Sequence, residues 1–381
     1  MWDGLKVIDG DAHHHEPQYL WDRYLDPAFQ DRLPKVVGMR RNFFAYDPNH
    51  PLSQAVGGGG GGVLTEHDKY MADKYGDAYD QWWSPEIRLR DMDRYGWDIQ
   101  VILSTNGNRI MDVSCVEPDL GVAMARAYHN WCYDYASIDP GRIKFTATPP
   151  TGDTPAMVAE VRRAVEELGA VSSRNPLLPD GKFIHQPEYD ALWQLASDLD
   201  FPISLHGEWR ARRASPLNGV PREDGHFSGA VNHIMAFPMD NMTSMAHFIF
   251  SGILERFPKL RLGVLEANVG WAQFFLPRMD SHSHGRHAIL GHALKRKPSE
   301  YVLEQCVLSA DPDEPALPRT IEFMGDDNFI WNTDYPHPDA PDPDKVMPWF
   351  KAQPISDDSK RKILWDNSVR LYGPRLLQGA P

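Results

Sequence analysis

Short apolar runs recur along the chain, each closed by polar residues. They predict strands at Lys6–Ile8, Ile99–Leu103, Ile143–Ala147, Ala170–Ser172, Ile203–Leu205, Leu262–Leu265, Cys306–Leu308 and Phe329–Trp331. Between most of them the period changes to that of a helix. Val161, Ala164, Val165 and Leu168 share one helical face, and Gly169 stops it. Met242, Met245, Ala246, Ile249 and Ile253 form a second stripe ahead of the turn at Phe257-Pro258. Strands alternating with helices call for a parallel sheet with crossovers. About eight such units predict an α/β fold, a (β/α)8 TIM barrel, with residues 1–381 as a single barrel domain.

Two stretches break the rhythm: Arg32–Trp83, after the first strand, and Glu208–Asp240, after the fifth. Loops after barrel strands emerge on the carboxyl-end face, so both insertions are expected over that rim. Phe43, Phe44, Trp82 and Trp83 would supply an apolar wall, and Arg40, Arg41 and Arg210 a carboxylate clamp. The alternative is that these residues pack the insertion itself or a subunit interface. The glycine run from Gly57 to Gly62 reads either as a surface loop or as the hinge of a lid. It lacks the strand before it and the helix after it that a phosphate loop needs.

Composition narrows the partners. A formal net charge of −14 argues against nucleic acid and anionic membranes, and no apolar run is long enough to span a bilayer. The start, MWDGLKVIDG, shows no signal-peptide pattern. Cys115, Cys132 and Cys306 are too scattered for a disulfide framework or a zinc knuckle, so a cytoplasmic location is expected. The expected partner is a small-molecule substrate, within a homo-oligomer, a dimer or tetramer.

Chemistry in a barrel sits at the carboxyl ends of the strands. Asp9, Asp11 and His13 follow the first apolar run, His206 the fifth, Glu266 and Asn268 the sixth, and Asp334 and His337 the eighth. Asp11 and His13 are two apart, which places them on one face of a strand. With His206 and Asp334 they offer two nitrogens and two oxygens, a set suited to Zn²⁺ or Mn²⁺. Of the three consecutive histidines, His13 is the expected ligand, His14 should point away, and His15 is open.

The stretches VIDGDAHHHEP, FPISLHGE, SGILERFPKLRLGVLEANVGW, NTDYPHPD and KILWDNSVRLYG together resemble the amidohydrolase-related family, the aminocarboxymuconate-semialdehyde decarboxylase-like branch of the amidohydrolase superfamily. The resemblance runs from Val7 to Gly373 and implies a (β/α)8 barrel with one divalent metal, zinc or manganese. The family's ligand positions fall on Asp11, His13, His206 and Asp334. Several decarboxylases of the branch carry a histidine where this chain has Glu266, which either takes over its proton, if burial or a neighbouring carboxylate raises its pKa, or is a structural hydrogen-bonding group. The lysine that binuclear relatives use at strand four is missing from AVSSRNP, so a single metal is expected.

The resemblance implies non-oxidative decarboxylation of a small aromatic or unsaturated carboxylic acid, with Asp334 or Glu266 handling the proton. The alternative reading is hydrolysis of an amide, ester, lactone or carbon–carbon bond by metal-activated water, with Asp334 as base. A metal-free binding scaffold is a third. His337 is expected either to orient Asp334, to meet the substrate, or merely to fill a turn. Glu16 either orients His13 or begins the next segment. Asn367 is expected to be a buried structural hydrogen-bonder, although a substrate contact is its alternative.

Overall fold

Three of the eight barrel strands end on polar side chains, His13, Arg174 and His206, and this sets their true limits. The computed structural model describes residues 1–379 apart from 18, 35, 41–42, 48, 56–64, 208–226 and 285–293. The barrel strands are β1 (Ile8–His13), β2 (Ile99–Leu103), β3 (Ile143–Ala147), β4 (Ser172–Arg174), β5 (Ile203–His206), β6 (Leu262–Leu265), β7 (Cys306–Ala310) and β8 (Phe329–Trp331). They form one eight-stranded sheet in sequence order, and its neighbouring strands run parallel. The two edges approach each other: the Asp334 N–H donates to the Asp11 carbonyl (3.0 Å) and the His13 N–H to the Tyr335 carbonyl (2.8 Å). A near-closed ring of parallel strands with helices between them is the (β/α)8 barrel.

Alternation divides the strands into two apolar faces. Ile8, Ile99, Val101, Leu103, Leu265, Val307 and Ile330 form one cluster with Leu371, Tyr372 and Leu376 from the carboxyl-terminal segment. The other strand face, including Ile102, Phe145, Ile203, Val264 and Leu308, packs on the surrounding helices. Asn367 ties that terminal segment to β8 by donating to the Phe329 carbonyl (2.7 Å), which is the structural role expected of it.

Five boundaries differ from the sequence expectation: β5 runs one residue further, to His206, and β7 two further, to Ala310. β1 does not end at Ile8 but runs on through Asp9, Asp11 and His13. Its register on β2 slips between Asp9 and Ala12, a bulge of one residue. β4 starts two residues later than Ala170 and ends at Arg174, because Ser172 and Arg174 find polar partners in the lumen. The helix expected to carry Met242 through Ile253 spans Phe227–Phe250 and breaks at Gly252, where φ is +74°. Its first residues, from Phe227, also take up the end of the second insertion.

The first insertion includes a two-stranded antiparallel ribbon, Val36–Arg40 and Phe43–Tyr46. Its Thr65–Tyr75 helix lies on the loop after β8. Tyr70 donates to the Pro338 carbonyl (3.0 Å), Tyr75 to the His337 carbonyl (2.7 Å), and Lys74 to the carbonyls of Pro338 and Ala340. This part of the insertion therefore covers the carboxyl-end rim. Trp83 is buried in it and stacks on His15 at 4.4 Å, a packing role. Gly57–Gly62, Arg41 and Arg210 lie outside the described residues, as do the side chains of Arg40, Phe43 and Phe44.

Candidate active site

Because β1 has a bulge, Asp9 and His13 face opposite ways. Asp9 pairs in register with Gln100 and His13 with Leu103, one side of the sheet apart. Asp9 accepts from the Thr333 N–H (3.0 Å), the Thr333 hydroxyl (2.6 Å) and the Gln100 amide (2.8 Å). It closes the seam between β1 and β8, and burial pushes its carboxyl up to about 6 against the pull of those bonds. It does not join the residues at the rim, contrary to its place among the polar residues after the first apolar run.

Asp11 and His13 do converge. The His13 Nε2 lies 3.5 Å from Asp11 Oδ1, 3.2 Å from Asp334 Oδ1 and 3.2 Å from His206 Nε2. His206, the last residue of β5, is oriented by its neighbour: with Nδ1 protonated it donates to the Gly207 carbonyl at 2.7 Å, and its Nε2 lone pair is turned to the cluster. Gly207 is required there, since a Cβ would lie 2.4 Å from the Phe237 Cα of the overlying helix. The His206 Nε2 also stands 2.8 Å from Glu266 Oε2, without the alignment of a hydrogen bond.

The other two carboxylates sit on strained backbone. Asp334 has φ +57° and Glu266 φ +49°, conformations that cost a non-glycine residue about 1–3 kcal/mol unless the surroundings enforce them. At Glu266 they do. Its N–H donates to the Ser309 hydroxyl (2.9 Å), Asn268 donates to Asp311 (2.7 Å), and Glu314 accepts from the N–H groups of Val269 (2.7 Å) and Gly270 (3.0 Å). At Asp334, His337 Nδ1 donates to Oδ2 at 3.0 Å and the Thr105 hydroxyl meets His337 Nε2 at 2.9 Å. His337 also stacks on His13 at 3.9 Å.

The electrostatics leave a negative site short of a cation. Burial first, then neighbouring carboxylates, push Asp11, Glu266 and Asp334 well above the carboxylate range. Burial likewise holds His13 and His206 well below the usual imidazole value. Both Asp11 oxygens, Asp334 Oδ1 and Glu266 Oε2 are buried without a hydrogen-bond donor. Acceptors and lone pairs facing one another in this way fit a divalent cation, which offsets their charge and takes up their lone pairs. Two overlapping groups among the described residues have that geometry: Asp11, His13 and His206, and His13, Glu266, Asp334 and His337. The four residues expected as ligands thus gather around His13, but in two sets rather than one.

The other two histidines of the run, His14 and His15, and Glu16 serve the scaffold. His14 points away among Trp131 (4.7 Å) and Tyr135 (4.8 Å), as expected. His15 contacts the Pro336 carbonyl through Nε2 at 3.3 Å. Glu16 does not contact His13; it accepts from the N–H groups of Thr105 (3.0 Å), Asn106 (2.9 Å) and Gly107 (3.0 Å) and so fixes the loop after β2. Sequence reasoning missed Thr105, Arg88 and Arg174. Arg88, on the Pro85–Tyr95 helix, donates from Nη2 to the His13 carbonyl at 2.6 Å. No local pattern identifies it. Arg174 could have been found, since it is the polar residue that ends the fourth strand.

A sequence model described as amidohydrolase matches residues 11–373. The chain is 24% identical to a γ-resorcylate decarboxylase of Polaromonas sp., covering 81% of this chain and 97% of that protein. It is 22% identical to the 2-amino-3-carboxymuconate-6-semialdehyde decarboxylase of Dictyostelium discoideum, over 85% and 88% of the two chains. Among solved structures it resembles the 5-carboxyvanillate decarboxylase of Novosphingobium aromaticivorans, complexed with manganese and 4-hydroxy-3-methoxy-5-nitrobenzoic acid. That likeness has a TM-score of 0.67 at 18% identity, covering 97% of this chain and 96% of that one. Among the described residues no helix is long and apolar enough to cross a membrane.

Proposed function

The chain belongs to the amidohydrolase family, and from that premise we propose that it is a metal-dependent, non-oxidative decarboxylase of a small aromatic or unsaturated carboxylic acid. The observation that carries the reading is the meeting of unpartnered carboxylate oxygens from Asp11 and Asp334 with the Nε2 atoms of His13 and His206 at the barrel mouth. Support for the reaction comes from the relatives, which are decarboxylases of such acids. In this reading Asp11, His13, His206 and Asp334 hold one divalent ion, manganese or zinc. When bound, the ion supplies a Lewis acid that polarises a substrate oxygen next to the reacting carbon.

The chain's own residues then handle orientation and the proton. His337, held at its far nitrogen by Thr105, keeps Asp334 turned toward His13. Glu266 stands opposite: burial, and then the charges of Asp334 and Asp11, raise its carboxyl, a bound cation pulls the other way, and in this reading the carboxyl remains protonated. It gives its proton to the carbon that bears the carboxylate. The carbon–carbon bond then breaks, its electron pair returns to the unsaturated system, and CO₂ leaves. Glu266 takes a new proton from solvent.

The test is to incubate manganese-loaded protein in ¹⁸O-water with a panel of hydroxybenzoates and muconate-type acids. Release of CO₂ matched to product formation, with no solvent oxygen in the organic product, is expected. Product that gains solvent oxygen without CO₂ would overturn the reading in favour of hydrolysis.

A further inference from the structure

The turn that carries Glu266 is gripped by the end of β7 and the loop that follows it. Three side chains of that segment meet the turn in order. The Ser309 hydroxyl accepts from the Glu266 N–H at 2.9 Å, Asp311 Oδ2 from the Asn268 amide at 2.7 Å, and Glu314 Oε1 from the N–H groups of Val269 (2.7 Å) and Gly270 (3.0 Å). The approach is close, since a Cβ at Gly270 would lie 2.8 Å from the Ala316 Cβ. Glu314 is the member of the three that takes two backbone N–H groups, and it is buried. Its own main chain is fixed in turn: the Gln353 amide donates to the carbonyls of Pro312 (3.1 Å) and Glu314 (3.2 Å). The turn needs this grip. Glu266 has φ +49° and Asn268 φ +55°, a backbone that residues with a Cβ seldom keep unless their surroundings enforce it. Released, the turn would relax and carry the Glu266 side chain away from His206, whose Nε2 now lies 2.8 Å from its Oε2.

We propose that Glu314 is a positioning residue that acts through Glu266: by holding the backbone of Val269 and Gly270 it keeps the Glu266 carboxyl beside His206. The consequence for turnover rests on the decarboxylase reading, in which Glu266 delivers the proton. A donor moved by about an ångström loses rate without loosening the substrate or the ion. Glu314 therefore acts on kcat and leaves KM unchanged. The role calls for an oxygen that accepts twice, not for a charge, and the amide oxygen of glutamine has the two lone pairs required.

The experiment compares manganese-loaded wild type with Glu314→Met and Glu314→Gln, each alone and combined with Glu266→Gln. It reads kcat and KM for an acid that is turned over, manganese content, melting temperature and crystal structures. Glu314→Met should lower kcat by roughly 10- to 100-fold at unchanged KM and manganese content. Glu314→Gln should restore most of that rate. With Glu266→Gln in place, Glu314→Met should cost little more, because the carboxyl it positions is gone. The crystal structure of Glu314→Met should show the Glu266 carboxyl displaced from its wild-type place. Should Glu314→Met not fold, Glu314→Asp, which shortens the reach by one carbon, supplies the same readings at smaller amplitude. An unchanged kcat, the same fold loss with and without Glu266→Gln, loss of manganese, or a Glu266 carboxyl still in its wild-type place would each overturn the proposal. Failure of the decarboxylase reading looks different: a displaced Glu266 carboxyl, with no CO₂ released from any acid by wild type, would leave the positioning standing and remove the reaction.

Discussion

Arg88 supports His13 through its backbone: the guanidinium Nη2 lies 2.6 Å from the His13 carbonyl oxygen, and the same group lies over the Tyr335 ring at 5.1 Å. It therefore grips both strand ends that meet at the barrel seam. Arg88→Met keeps most of the side-chain volume but leaves that buried carbonyl without its charged donor. Such a bond is worth about 1.5–3 kcal/mol. Manganese affinity should drop by about 10- to 100-fold, as for other residues that orient ligands without touching the ion. Metal titration and thermal melts of the metal-free protein check this. An unchanged manganese affinity would confine Arg88 to stability.

The chain from Thr105 through His337 to Asp334 fixes an imidazole at both nitrogens. Thr105→Val removes the outer contact and nearly keeps the shape. The ring can then turn, and Asp334 loses its fixed direction. We expect kcat to fall by about tenfold with manganese still bound, the scale on which outer partners of metal ligands act. His337→Phe should cost more, because it also removes the donor to Asp334. Equal rates for wild type and Thr105→Val, measured at full metal loading, would refute this.

Legibility in the sequence followed the side of the sheet. Strands closed by apolar residues on both faces, such as Ile99–Leu103 and Leu262–Leu265, were readable to the residue. Strands that turn polar side chains to the lumen were cut short or shifted, because Asp11 or Arg174 resembles a loop residue until its partners across the barrel are known. The β1 bulge was not readable: IDGDAH alternates cleanly, and only pairing with β2 reveals the extra residue. Glu16 looked like a neighbour of His13 in sequence, yet its partners come from the Thr105–Gly107 loop some 90 residues on. His13 and His206 were readable because each ends a strand, and Asp334 because it lies in the loop that directly follows the last one.

Glu160 provides a test of stability against pH away from the site. The Thr148 N–H donates to His129 Nε2 (2.9 Å), so Nδ1 carries the hydrogen and donates to Glu160 Oε1 (2.8 Å). Arg163 donates to both carboxylate oxygens, at 2.7 and 2.9 Å. Burial alone would raise the Glu160 carboxyl, but the bonds from His129 and Arg163 prevail and bring it from 4.5 to about 2. A lowered folded-state value means that the stabilisation is present above pH 4.5 and is lost as pH falls toward 2. It is worth up to roughly 3 kcal/mol. Glu160→Gln should lose about that much at neutral pH and flatten the decline in acid. Urea unfolding from about pH 2 to about pH 7 measures both, and a variant with the wild-type acid slope would contradict the assignment.

Glu266 is the residue on which the choice of chemistry turns. Its carboxyl is buried against Asp334 and Asp11, both of which raise it, and Oε2 has no donor. If that carboxyl stays protonated against the pull of a bound cation, it can deliver a proton at neutral pH. Glu266→Gln keeps the shape and the Ser309 contact of the backbone but removes the transferable proton. If Glu266 protonates the reacting carbon, kcat should fall by about 10²–10⁴-fold with manganese content and melting temperature held. Residual activity should not recover at lower pH, because no amide proton becomes available. If Glu266 only braces the turn that Asn268 and Glu314 hold, the melting temperature should drop and kcat per folded molecule should stay. Measuring kcat, manganese content and melting temperature of the one variant separates the two roles, and an unchanged kcat would leave the proton to Asp334.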